Sequence, residues 1–115
     1  VSRRVEKPWG HEEIWAETDR YVGKILFIKA GERLSLQHHR EKDETIRVLT
    51  GSMVLELEDE SGKLEVIPLK PEMSARIKPG YKHRMTAETN VELLEVSTPE
   101  LDDVVRHEDD YGRTD

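Results

Sequence analysis

Turn-forming residues break this chain into short pieces, and that spacing limits the folds open to it. Pro8-Trp9-Gly10, Ala30-Gly31, Thr50-Gly51, Asp59 to Gly62, Lys70-Pro71, Pro79-Gly80 and Glu88 to Asn90 all carry residues that fix φ or accept φ > 0. Between them lie YVGKILFIKA (Tyr21 to Ala30), Thr45 to Leu49, Ser52 to Glu58, LEVIPL, MSARI, HRMTA and VELLEV, with shorter candidates at Glu13 to Ala16 and Leu34 to His39. Many of these runs are rich in β-branched residues, and MVLELE alternates apolar with polar as a half-buried strand does. About eight or nine short strands divided in this way predict an all-β sandwich or barrel. Only TPELDDVVRHEDDYG reads as helix: Thr98 resembles an N-cap with Pro99 at the first helical position, and Leu101, Val104 and Val105 have helical spacing. The expectation is a short C-terminal helix.

The 115 residues are read as one domain, 1–115, with room for a single core. Charged residues are 37% of the chain and hydrophobic ones 35%, so that core is assembled from many brief runs. The formal charge is −7 and no Lys/Arg block stands out, which argues against nucleic acid as a partner while leaving an anionic small molecule open. With no cysteine, any metal must be held by nitrogen and oxygen. No run approaches a membrane span, and the opening VSRRVEKPWG lacks the apolar core of a signal peptide, so the expected location is cytoplasmic.

The stretch Gly31 to Gly51, GERLSLQHHREKDETIRVLTG, holds the chemistry. In an extended Leu34 to His39, Arg33, Ser35, Gln37 and His39 share one face while Leu34, Leu36 and His38 take the other. Gln37 and His39 thus stand at the i, i+2 spacing by which a barrel strand converges donors, and Glu44 enters the next strand after the turn HREKDE. His83, following Pro79-Gly80, is placed to supply a fourth donor. One carboxylate, two imidazoles and one amide oxygen suit a single divalent Zn, Mn, Fe, Co or Ni ion better than calcium. The donors do not choose among these; zinc is the working expectation. His11 and His107 lack partners at useful spacing and read as surface residues.

The spacing Gly31, Gln37, His39, Glu44, Gly51 resembles the first motif of the cupin superfamily, with glutamine in place of the usual first histidine. Lys78-Pro79-Gly80-Tyr81-Lys82-His83 resembles the second, although its proline stands one place late and Ala87 replaces the frequent asparagine. GERLSLQ, KPWG near the start and DDVVRHEDDYGR at the end are similar to the C-terminal domain of type II mannose-6-phosphate isomerase. The resemblance implies a double-stranded β-helix, or jelly-roll barrel, and a metal held by Gln37, His39, Glu44 and His83. It further implies aldose-ketose isomerisation of a sugar phosphate through an enediolate that the cation stabilises. The chain departs from the family in its turn HREKDE and in Thr45, where an aromatic residue is usual. No Gly-rich nucleotide-binding segment occurs, so guanylyltransferase activity is not expected of these residues.

The general base is not evident from sequence. Lys42 is the first candidate for a catalytic group beside the metal, ahead of Tyr81, Lys82 and Glu56. Arg33, on the expected ligand face, is the first candidate to clamp phosphate, ahead of Arg84 and Arg106. Two other functions compete: a cupin dioxygenase, and a non-enzymatic module that binds metal and sugar. The apolar Tyr21 to Ile28 run, if it lies at a sheet edge, would pair across a homodimer.

Overall fold

A computed structural model describes residues 2–114. Eleven strands form two antiparallel sheets among the described residues: β1 (Arg3–Lys7), β2 (Gly10–Glu17), β3 (Val22–Ile28), β4 (Leu36–His38), β5 (Glu44–Thr50), β6 (Met53–Glu58), β7 (Leu64–Leu69), β8 (Ser74–Ile77), β9 (His83–Ala87), β10 (Val91–Ser97) and β11 (Val105–Glu108). One sheet runs β1-β2-β3-β10-β5-β8 and the other β11-β4-β9-β6-β7. Chain neighbours such as β3 and β4 lie in opposite sheets. This is the jelly-roll arrangement of a double-stranded β-helix, as the turn spacing and the cupin resemblance anticipate.

Alternation decides what faces the interior. From β3 come Val22, Lys24, Leu26 and Ile28; from β10, Val91, Leu93, Glu95 and Ser97; from β5, Glu44, Ile46 and Val48. Towards one end these positions are apolar, and with Met53, Leu55 and Trp9 they close a dry core. Towards the other end the same inward positions become Lys24, Glu95 and Glu44. The barrel therefore has a packed end and a charged end, and the charged end surrounds a cavity of about 490 Å³.

Gly51, in the β5–β6 turn, is at φ 86°. A Cβ there would stand 2.2 Å from the Asn90 carbonyl oxygen, so both handedness and space demand glycine.

Three expectations need correction. The short C-terminal helix does not form. Thr98 Oγ1 instead accepts the Asp43 N–H at 3.0 Å, residues 99–104 turn, and Val105 and Arg106 pair with His38 and Gln37 as β11. The helical spacing of Leu101, Val104 and Val105 is overridden because β4 offers a free edge to which β-branched valines suit well. β3 is an interior strand, hydrogen-bonded on one side to β2 and on the other to β10, so the Tyr21 to Ile28 run has no free edge with which to pair a second copy. Arg33 leaves the ligand face, because Leu34 and Ser35 are both buried in an irregular stretch that breaks the alternation before β4 begins.

Candidate metal centre

Three chain segments bring three donors together. His39 follows β4, Glu44 opens β5, and His83 opens β9 after the Pro79-Gly80 turn. All three are buried, and one donor atom from each lies within 4.8 Å of the others. Two backbone ties hold the approach: the Gly80 N–H donates to the His39 carbonyl at 2.6 Å, and His83 sits directly across the β4–β9 pair from Gln37. Gln37 therefore shares the inward face of His83, and its Oε1 accepts the Ser35 hydroxyl at 2.6 Å.

The histidine tautomers are set by their outer nitrogens. His39 Nδ1 donates to the Asp103 carbonyl, and His83 Nδ1 donates to the Tyr81 carbonyl at 3.0 Å. Each ring is left with Nε2 as a lone-pair donor aimed inward, the outer-shell arrangement of metal-ligating histidines. His39 Nε2, His83 Nε2 and Glu44 Oε2 are buried and without a hydrogen-bond partner. Glu44 Oε2 does stand 3.1 Å from His39 Nε2 and 3.2 Å from Lys42 Nζ, but neither approach has hydrogen-bond geometry. Orphaned buried polar atoms cost about 1–3 kcal/mol each, so their convergence calls for a cation. Two imidazole nitrogens and a carboxylate, with Gln37 adjacent, fit a borderline transition metal.

The titration states agree with that fit. Burial pushes the Glu44 carboxyl up, but His39, Lys42 and His83 outweigh it and bring the pKa down to about 2. Burial lowers His83 below the usual imidazole range, which keeps its ring neutral.

Behind the donors runs a line of buried charge. Lys42 Nζ lies 3.2 Å from Glu44 Oε2 and 3.1 Å from Glu95 Oε2; Lys24 Nζ lies 3.7 Å from Glu95 Oε2 and 3.3 Å from Glu12. Burial alone would lower the Lys42 ammonium, yet Glu95 and Glu44 more than offset it and hold the group above its ordinary value. Lys42 is thus kept protonated, and what it can offer is positive charge and a proton, not a lone pair. Glu95 is the reverse case: burial first, then the Glu44 charge, raises its carboxyl despite Lys42 and Lys24.

Arg33 does not join this group. Its guanidinium forks onto Asp110 at 2.6 and 2.9 Å in a half-exposed pair, and it does not line the cavity. Arg84 is engaged by the Leu34 and Glu108 carbonyls, each at 3.1 Å. His38 faces away from the donors, as its parity requires, and contacts His107 at 2.8 Å. Glu12, Lys24 and Glu95 are functional candidates that motif spacing does not pick out. The available signal is a charged residue on the inward parity of an otherwise apolar strand.

The comparisons with known proteins follow the same lines. The family model described as mannose-6-phosphate isomerase C-terminal matches residues 1–109. The chain belongs to the mannose-6-phosphate isomerase C-terminal family. Within it, the chain is 34% identical to the xanthan biosynthesis protein XanB of Xanthomonas campestris pv. campestris, over 97% of its own length and 24% of that protein's. It is also 34% identical to a mannose-1-phosphate guanylyltransferase of Escherichia coli, over 98% of its length and again 24% of the relative's. The chain therefore spans about a quarter of these curated relatives. Among solved structures, KdgF from a Halomonas species superposes with a TM-score of 0.75 at 23% identity, covering 90% of this chain and 89% of that one, which supports the cupin fold. Among the described residues no helix is long and apolar enough to cross a membrane.

For this member of the isomerase C-terminal family, Asp103 explains why the DDVV segment folds back on the donors. Its carboxylate accepts the backbone N–H groups of Glu41 at 2.7 Å and of Arg40 and Lys42 at 3.0 Å, and its own carbonyl takes the His39 ring. These bonds, that of Glu41 first, lower its pKa to about 2. The stabilisation they give is complete above the ordinary value of 3.8 and is lost as pH falls from there through about 2. Asp103→Ala should cost about 1 kcal/mol at neutral pH, as other capping carboxylates do, with no larger effect because the side chain is partly solvated. It should also weaken metal binding roughly tenfold. Asp103→Asn should keep most of the stability and make its acid dependence shallower, by this one carboxylate's share, which thermal melts between pH 2 and 7 would measure.

Proposed function

We propose that this domain is a metal-dependent aldose-ketose isomerase acting on a sugar phosphate, of the mannose 6-phosphate type. One observation carries the reading: the unpartnered donors of His39, Glu44 and His83 converge at the wall of a polar cavity of about 490 Å³ that His39 and Glu44 line, a size suited to one sugar. Membership of the mannose-6-phosphate isomerase C-terminal family supports this reading, as does similarity to a xanthan biosynthesis protein and a mannose-1-phosphate guanylyltransferase.

His39, Glu44 and His83, with Gln37 beside them, would hold the cation. When bound, the cation, zinc or another divalent transition metal, would supply Lewis acidity at the sugar carbonyl. The protein's own groups divide the remaining work. Glu95 lines the cavity with a buried carboxylate, raised by burial and ion-paired to Lys42 and Lys24, and is the group suited to lift a proton from carbon and return it one carbon away. Lys42, fixed as an ammonium between Glu95 and Glu44, stabilises negative charge developing on the sugar oxygens.

Incubation of a panel of hexose and pentose phosphates with the metal-loaded protein in deuterium oxide tests the reading. Deuterium should appear on C1 of the ketose or C2 of the aldose, at equal rates with and without oxygen. Oxygen consumption would point to a dioxygenase, and metal retention without exchange to a binding module.

A further inference from the structure

The cavity is walled in part by the outermost strands of the two sheets, β1 through Arg3 and Lys7 and β11 through Arg106. Most cations lining it are neutralised within the protein. Arg3 pairs with Glu17, Lys24 with Glu12, Lys42 with Glu44 and Glu95, and Arg113 with Asp109. Lys7 and Arg106 have no salt-bridge partner among the described residues, and Arg106 Nε is buried with no hydrogen-bond partner. Lys7 and Arg106 are thus the two lining cations whose charge is not taken up by an ion pair, although the cavity as a whole also carries the carboxylates of Glu12, Glu17, Glu44, Glu95 and Asp102.

Their placement relative to the metal donors follows from register. Arg106 lies directly opposite Gln37 across β11–β4, and Gln37 directly opposite His83 across β4–β9, so the three form one row on the inward face. With strands about 4.8 Å apart, the Arg106 Cα is roughly 10 Å from that of His83. A sugar ring with its carbonyl end at the donors and an anionic tail at Arg106 spans such a row. Lys7 faces the same space from the other sheet. Burial holds its ammonium below the ordinary value, and although Glu12 opposes this, Lys24, Arg106 and Arg113, which line the same cavity, push the same way.

We infer that Lys7 and Arg106 form the subsite for the phosphate of the substrate, the guanidinium supplying a planar fork and the ammonium a point charge from the facing sheet. A dianionic tetrahedral phosphate matches this pair better than a carboxylate, since it offers three charged oxygens to donors arriving from two directions. Naming the anion as a sugar's phosphate rests on the isomerase reading, whereas the existence of an anion subsite does not. Arg33 has no part in it.

The full chain, stripped of metal by a chelator so that phosphate cannot bind the cation, is titrated calorimetrically with inorganic phosphate, mannose 6-phosphate and mannose. Wild type should prefer mannose 6-phosphate to mannose. Lys7→Met and Arg106→Gln should each weaken both phosphate ligands about tenfold or more, as loss of a charge-assisted hydrogen bond does, and leave mannose affinity unchanged. Arg106→Lys, which keeps charge and bulk, should fall between, and it decides the matter if the glutamine variant does not fold. Arg33→Gln should bind as wild type. Equal phosphate affinity in wild type and in the Lys7 and Arg106 variants overturns the subsite, whatever the turnover. Phosphate binding lost in those variants, with no sugar phosphate turned over by wild type, sustains the subsite and removes the isomerase.

Discussion

Glu44→Ala and His39→Ala should each abolish stoichiometric metal binding and the proposed isomerase activity together while leaving a folded domain. Each removes one of three converging donors, and the remaining pair, even with Gln37 beside it, is too few to hold an ion at stoichiometric occupancy. Loss of a Lewis acid worth several kcal/mol corresponds to a rate loss on the order of 10³-fold or more. Folding should survive because the apolar end of the barrel, built on Leu26, Ile46, Leu55 and Leu93, does not depend on these side chains. Elemental analysis beside circular dichroism reads both halves of the expectation. Full metal occupancy in either variant would exclude that residue as a ligand.

Lys42→Met should be the most destabilising change in the charged end. The ammonium sits between two buried carboxylates, 3.2 Å from Glu44 and 3.1 Å from Glu95, and methionine fills its space while leaving Glu44 without a lysine and Glu95 with only the more distant Lys24, at 3.7 Å. Removing one partner of a buried ion pair costs about 3–5 kcal/mol, mostly from the charge left behind. In a domain of this size that is roughly 10–20 °C in thermal midpoint. Two further outcomes identify the cause. Adding Glu95→Gln should recover part of the loss, because one stranded charge disappears. Loading the metal should also narrow the deficit, since a cation beside Glu44 replaces the charge of Lys42. A metal-free Lys42→Met protein as stable as wild type would show that the lysine is not structurally required, and its role would then rest on catalysis alone.

These residues also show where sequence pattern suffices. His38 and Gln37 separate correctly because β4 is regular, and period-two alternation needs nothing more. The same rule fails at Arg33, three residues before β4 begins, because Leu34 and Ser35 are both buried outside any strand and parity is lost there. β1 is hard to foresee, since RRVEK offers one apolar residue and gains its order from pairing with β2. β11 is hidden by a spacing that fits a helix equally well, and only the available edge of β4 decides between them. Glu95 was accessible: VELLEV places it in register with Val91 and Leu93, on the buried side. A motif search passes over it because its partners, Lys24 and Lys42, come from β3 and from the turn before β5, and only the fold brings them together.

Whether this centre moves a proton between neighbouring carbons of a sugar phosphate is tested most directly by nuclear magnetic resonance in deuterium oxide, with mannose 6-phosphate and the metal-loaded, chelated and reloaded protein. The expected result is deuterium at C1 of the fructose 6-phosphate formed or at C2 of recovered mannose 6-phosphate, abolished by the chelator and restored by the metal. Exchange that persists in the chelated protein, or none in the loaded protein across hexose and pentose phosphates, would contradict a metal-dependent isomerase.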